Sequence, residues 1–186
     1  MNKKEIIKSV IKGWQARFPI AVLQRQLTLP VDTNKIITTV GVRRSGKTSV
    51  MFDTINRLIK SGIPSDNILF FSFDDERLEF RPEELDLILQ AYRELHPEIP
   101  LQECYFFFDE IQMANGWEQF LRRIYDSETR KIFISGSNSK MLATDIATSL
   151  RGRTLQYEIF PLNFNEFCDF RQLDKSVYLE TRAAVL

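Results

Sequence analysis

Short, dense apolar runs alternate along this chain with stretches in which apolar residues return every three or four positions, the signature of strands alternating with helices. Residues 35–40 are apolar and β-branched and stop at Gly41. From 49 to 60, Val50, Ile55, Leu58 and Ile59 share one helical side, and Gly62 and Pro64 close the helix. Residues 67–73 predict a second buried strand. Pro82 opens a helix carrying Leu85, Ile88, Leu89, Tyr92 and Leu95 at the right period, and His96-Pro97 ends it. Residues 104–108 form a third, unusually apolar strand that terminates in Asp109 and Glu110. Trp117, Phe120, Leu121, Ile124 and Tyr125 are the buried stripe of the next helix. Residues 131–135 and 154–160 complete five strands, and a short helix is expected after Pro161. Mostly apolar strands between helices indicate a parallel sheet covered on both faces, an α/β fold in three layers.

The ends read differently from the middle. Before residue 30, Lys3, Lys4, Lys8, Lys12, Arg17 and Arg25 face a single acid, Glu5, while Ile6, Ile7, Val10, Ile11 and Trp14 recur at helical spacing. Residues 1–30 are therefore expected to form a basic amphipathic helical segment, 31–162 the core, and 163–186 the start of a C-terminal helical region that is cut short at Leu186. The basic segment either packs on the core with its lysines in water or offers a patch to DNA, a membrane surface or a protein partner.

Composition narrows the choices. The 186 residues carry 25 Lys and Arg against 25 Asp and Glu, so no overall surplus of positive charge favours nucleic acid. Cys104 and Cys168 are the only thiols, too few for a disulfide framework or a zinc cluster. There is no apolar stretch of membrane-spanning length and no signal-peptide pattern, so the expected location is the cytoplasm.

Candidate chemistry begins at Gly41-Val42-Arg43-Arg44-Ser45-Gly46-Lys47-Thr48, which matches G-x-x-x-x-G-K-[ST] between a predicted strand and a helix start. Glycines let the main chain curl round a phosphate so that successive N–H groups point inward, and the helix N-terminus adds partial positive charge. Gly41, Arg43, Arg44, Ser45, Gly46, Lys47, Thr48 and Ser49 are the candidate nucleotide contacts. Lys47 reaches the β- and γ-phosphates in this reading, and Thr48 offers its hydroxyl to Mg²⁺. Arg43 and Arg44 stay open between phosphate contact and solvated loop positions.

Asp109, ending an apolar strand, is expected beside this loop as the second magnesium ligand, and Glu110 as the group that orients or deprotonates an attacking water. Parallel strands deliver their C-terminal ends to one edge, so the segment after residue 135 reaches the same place. Asn138 is the first candidate there to contact the γ-phosphate or water, Ser137 the second, with a plain turn as the alternative. Arg151 and Arg153 are candidate charge-neutralising groups, acting in cis or from a neighbouring subunit, against the alternative of a structural ion pair. Asp74, Asp75 and Glu76 either help organise the site or close a turn.

In their order, GVRRSGKTS, FFSFDDERL, FFFDEIQ with Trp117 shortly after, FISGSNSKML and LRGRTLQYEIFPLNFNEF resemble the blocks of the prokaryotic AAA-like P-loop ATPases. That ATPase domain is usually followed by a C-terminal domain of unknown function. The resemblance covers about residues 36–170. It implies a P-loop NTPase sandwich with sheet order 5-1-4-3-2, ATP as ligand, Gly46, Lys47 and Thr48 as nucleotide contacts, Asp109 as the magnesium acid and Glu110 as the catalytic acid.

Mg²⁺-dependent ATP hydrolysis that drives or switches a macromolecular partner is the leading expectation, and oligomerisation is left open. A nucleotide-gated binding module with little turnover is the alternative. A P-loop kinase ranks lower, because no long Arg-rich lid insertion is visible and Glu110 suits water activation. GTP is disfavoured by the lack of an Asn-Lys-x-Asp stretch after the fourth strand.

Overall fold

The computed structural model describes residues 2–136, 150 and 152–173. Helix α1 (Lys3–Gln15) leads to β1 (Ile36–Val40), α2 (Lys47–Lys60), β2 (Ile68–Ser72), α3 (Asp86–Leu95), β3 (Tyr105–Asp109), α4 (Trp117–Ser127), β4 (Ile132–Gly136), β5 (Thr154–Glu158) and α5 (Phe164–Arg171). The five strands form one parallel sheet in the order β2-β3-β4-β1-β5, which is the expected 5-1-4-3-2 read from the other edge.

Alternation along the strands splits the core in two. Phe106 and Phe108 point to the face covered by α1, α3 and α4, where they join Leu69, Phe71, Ile132 and Ile134. Tyr105 and Phe107 point to the opposite face with Ile68, Phe70 and Phe133, against Val50, Met51, Ile55 and Leu58 of α2. The Phe107 and Phe133 rings stack with centroids 4.5 Å apart and an interplanar angle of 10°, locking β3 to β4 immediately below the acids that end β3.

Several element ends differ from the sequence reading. Helix α2 starts at Lys47 rather than 49, because Gly46 takes the left-handed conformation at its N-cap (φ 97°) and lets the next residue enter the helix. At Pro82 the chain makes a 3-10 turn, Pro82–Glu84, and α3 proper begins at Asp86. Two-sided burial fails at β5, an edge strand where Leu155 is 40% exposed.

The N-terminal helix packs on the core, but its lysines are not simply in water. Lys3 Nζ is 2.7 Å from Glu84, Lys4 Nζ is 2.6 Å from Glu94, and Lys8 Nζ is 2.9 Å from Glu5 and 2.7 Å from Glu94. The Arg17 guanidinium lies 4.6 Å from the centre of the Trp14 ring. Much of the positive patch is thus neutralised by acids of its own chain. No helix among the described residues is long and apolar enough to cross a membrane.

Candidate active site

Val40 hands the chain from a fully buried strand to a loop with no room for a side chain at its first position. A Cβ on Gly41 would lie 2.2 Å from the Ile159 carbonyl oxygen, so only glycine fits where the loop passes the exit of β5. The loop then turns through Arg44 (φ 65°) and Gly46 (φ 97°) into α2. That helix has no side-chain cap and no acid in its first turn. Its first amides and its dipole therefore face the loop with no cap and no acid of the helix's own first turn to compensate them, which favours holding an anion there.

Lys47 is 4% exposed, with its Nζ donating to the Gly41 and Val42 carbonyl oxygens at 3.2 and 3.1 Å. Its ammonium lies 3.6 Å from Glu110 Oε1. Ser45 is buried, and its hydroxyl has no hydrogen-bond partner among the described residues. Arg43 and Arg44 are exposed and Ser49 is half-buried. Arg44, Ser45, Gly46 and Ser49 line one side of a cavity of about 580 Å³ whose other walls include Val22, Leu23, Leu162 and Phe170.

Thr48, the second residue of α2, donates its hydroxyl hydrogen to Asp109 Oδ2 at 2.9 Å. Ser135 donates to Asp109 Oδ1, and the Ser135 hydroxyl in turn accepts the Glu110 amide at 3.0 Å. Asp109 is buried, and burial pushes its carboxyl above the ordinary value. The hydrogen bonds from Ser135 and Thr48 oppose that rise, the Glu110 charge adds to it, and Lys47 counters it. Glu110 adopts a left-handed conformation (φ 50°), turning out of the strand line, and Gln112 Nε2 donates to its Oε2 at 2.5 Å.

Loop and acids therefore meet at one sheet edge, with Lys47, Thr48, Asp109 and Glu110 in direct contact. The residues present fit a shared Mg²⁺: a hydroxyl and a buried carboxylate adjoin each other, and the carboxylate is short of positive charge. Among the described residues no cluster of three or more His, Cys, Asp or Glu exists, so phosphate oxygens and water would complete the shell, as this ion prefers.

The other candidates divide. Asn138, Ser137 and Arg151 lie outside the described residues. Arg153 precedes β5, at the opposite edge of the sheet; it pairs with Asp126 at 3.1 Å and covers the Tyr125 ring at 5.3 Å. The five residues of β5 put it about 16 Å from the loop edge, so it does not reach its own chain's site. Asp75 turns to Arg77, at 2.5 Å, and closes the turn after β2, with Asp74 and Glu76 exposed beside it.

Two features of the site escaped the sequence reading. Ser135 contacts Asp109, and its signal was a hydroxyl at the end of an apolar strand, one step past the Phe108–Ile134 register pair. Arg25 and Glu166 adjoin the loop; Asn163 and Glu166 have the spacing of a helix cap, but nothing local signals the pairing of Glu166 with Arg25.

An uncharacterized protein of Methanocaldococcus jannaschii is 42% identical over 176 residues, covering 94% of this chain and 37% of its own length. An uncharacterized protein of Haemophilus influenzae is 34% identical over 150 residues, covering 81% of this chain and likewise 37% of its own. The chain thus spans little more than a third of the length of these curated relatives. AMPPCP-bound DnaA from Aquifex aeolicus, a solved structure, covers 85% of this chain and 46% of its own at 13% identity and a TM-score of 0.43. Residues 33–168, from the approach to β1 into α5, match the family described as AAA domain, and the chain belongs to that family.

Proposed function

We propose that this chain binds ATP with Mg²⁺ and hydrolyses it, and that turnover switches a macromolecular partner. The observation that carries the reading is the 2.9 Å hydrogen bond between Thr48, in the first turn of α2, and Asp109, at the end of β3, which puts a hydroxyl and a buried carboxylate side by side where one Mg²⁺ could be shared. Phosphates lie against the amides that open α2, with the apolar-walled cavity beside Gly46 taking the base. Lys47 exchanges the Gly41 and Val42 carbonyls for β- and γ-phosphate oxygens. Thr48 and Asp109 would hold Mg²⁺, which when bound would supply positive charge against the phosphates. Glu110 accepts a proton from the attacking water; Lys47 and Gln112 hold its carboxylate in place.

Arg153 belongs in this reading only as a group offered to a neighbouring copy, since it stands at the far edge of its own sheet. DNA contact through the N-terminal segment is not favoured, because Lys3, Lys4 and Lys8 already pair with acids.

Glu110→Gln tests the reading. Steady-state phosphate release is expected to fall by about 100-fold or more while ATP is still bound, as loss of a general base requires. Wild type that binds ATP yet releases phosphate no faster than the variant refutes hydrolysis and leaves nucleotide gating.

A further inference from the structure

The segment before β1 and the helix after β5 meet beside the phosphate loop through one buried ion pair. Arg25 Nε donates to Glu166 Oε1 at 2.8 Å and Nη2 to Oε2 at 3.0 Å, with the two side chains 11% and 8% exposed. The same guanidinium reaches two main-chain carbonyls: Nη1 donates to Ser45 at 2.9 Å and Nη2 to Phe160 at 2.9 Å. Glu166 is fixed in turn. Its oxygens accept the Gln26 amide at 3.0 Å and the Asn163 amide at 3.1 Å, and the Asn163 side chain accepts the Glu166 amide at 2.9 Å, closing the capping box of α5. Arg25, foremost, together with these amides holds the Glu166 carboxyl down at about 2.

Arg25 lies directly over the loop, where a Cβ on Gly46 would be 2.9 Å from Nη1. In a planar trans peptide the carbonyl and the following N–H point to opposite sides. Holding the Ser45 carbonyl toward Arg25 therefore turns the Gly46 N–H the other way, to the side where the loop would hold phosphate.

We propose that Arg25 is a positioning residue for the phosphate loop and that Glu166 makes its grip depend on the seating of α5, so that nucleotide affinity and the placement of this helix are linked. The inference rests on the nucleotide reading above. Arginine suits the role because its planar fork serves a carboxylate and two carbonyls at once, which a lysine ammonium on a flexible stem does not.

The test measures binding of a fluorescent ATP analogue with Mg²⁺ alongside Tm. Arg25→Lys keeps a cation for Glu166 and is expected to weaken analogue binding about tenfold with little change in Tm. Glu166→Gln is expected to weaken it by a smaller factor. In the exchanged variant, Arg25→Glu with Glu166→Arg, a recovered Tm with affinity still low supports the proposal, since the pair is rebuilt and the Ser45 contact is not. Affinity that returns together with Tm overturns it, as does unchanged affinity in Arg25→Lys. If wild type itself binds no analogue, the nucleotide reading fails and takes this inference with it; if wild type binds and the variants match it, only this inference fails.

Discussion

Asp109 is the residue whose chemistry is most exposed to test. Its carboxylate is buried at a strand end beside a second acid, which raises its proton affinity. A carboxyl raised in the folded state stabilises the protein below its folded value and loses that contribution as pH rises through it. The ionised form is the one that burial disfavours, and a cation beside it would relieve that cost. Asp109→Asn removes the charge while keeping the geometry: the amide oxygen accepts from Ser135 and the amide nitrogen donates to the Thr48 hydroxyl. The variant is expected to be at least as stable as wild type without added ligand, and to lose any rise of Tm on adding Mg²⁺ with ATP. Thermal melts with and without Mg²⁺-ATP check it, and a variant that keeps the full rise would remove Asp109 from the ion site. The neighbourhood of Thr48 and Asp109 was legible in sequence because each sits at a position that topology alone brings to the same edge. The Arg25–Glu166 pair was not legible, since the two residues are 141 positions apart and each looks locally like a solvated charge.

Among the elements, β3 and α5 show where local pattern runs out. The apolar run of β3 announced a strand, yet a run buried on both faces has no alternation to say which side chain goes where; the split of Phe106 and Phe108 from Tyr105 and Phe107 follows only from the helices laid on each face. Helix α5 presents aromatic residues to solvent, with Phe164, Phe167 and Phe170 each more than 40% exposed. It is anchored instead through Glu166 and the buried Cys168. That anchorage has a pH signature. Because the folded carboxyl is depressed from 4.5 to about 2, its contribution is complete above the ordinary value and is lost as pH falls toward about 2. Melting temperatures measured down that range should fall more steeply for wild type than for Glu166→Gln. Parallel curves would show that the pair does not hold the helix.

On the scale of the whole molecule, candidate groups lie at both ends of the sheet's strands. The C-terminal edge gathers the loop, Asp109 and Glu110, while the opposite edge carries Arg153 with Asp126. If Arg153 serves a neighbouring copy, then Arg153→Ala and Glu110→Gln chains, each impaired alone, should recover phosphate release when mixed in equal amounts, because one supplies the arginine and the other the base. No recovery on mixing would leave Arg153 as the ion pair it forms with Asp126.

The strand order carries one more consequence. β1 hydrogen-bonds only to β4 and β5, both from the far end of the described chain, whereas β2 and β3 pair with each other early. On a ribosome releasing the chain from its N-terminus, the strand that bears the glycine-rich turn waits without a partner until residues 132–136 emerge. A nascent chain halted earlier could fold a hairpin-sized fragment of sheet but could not yet hold a nucleotide.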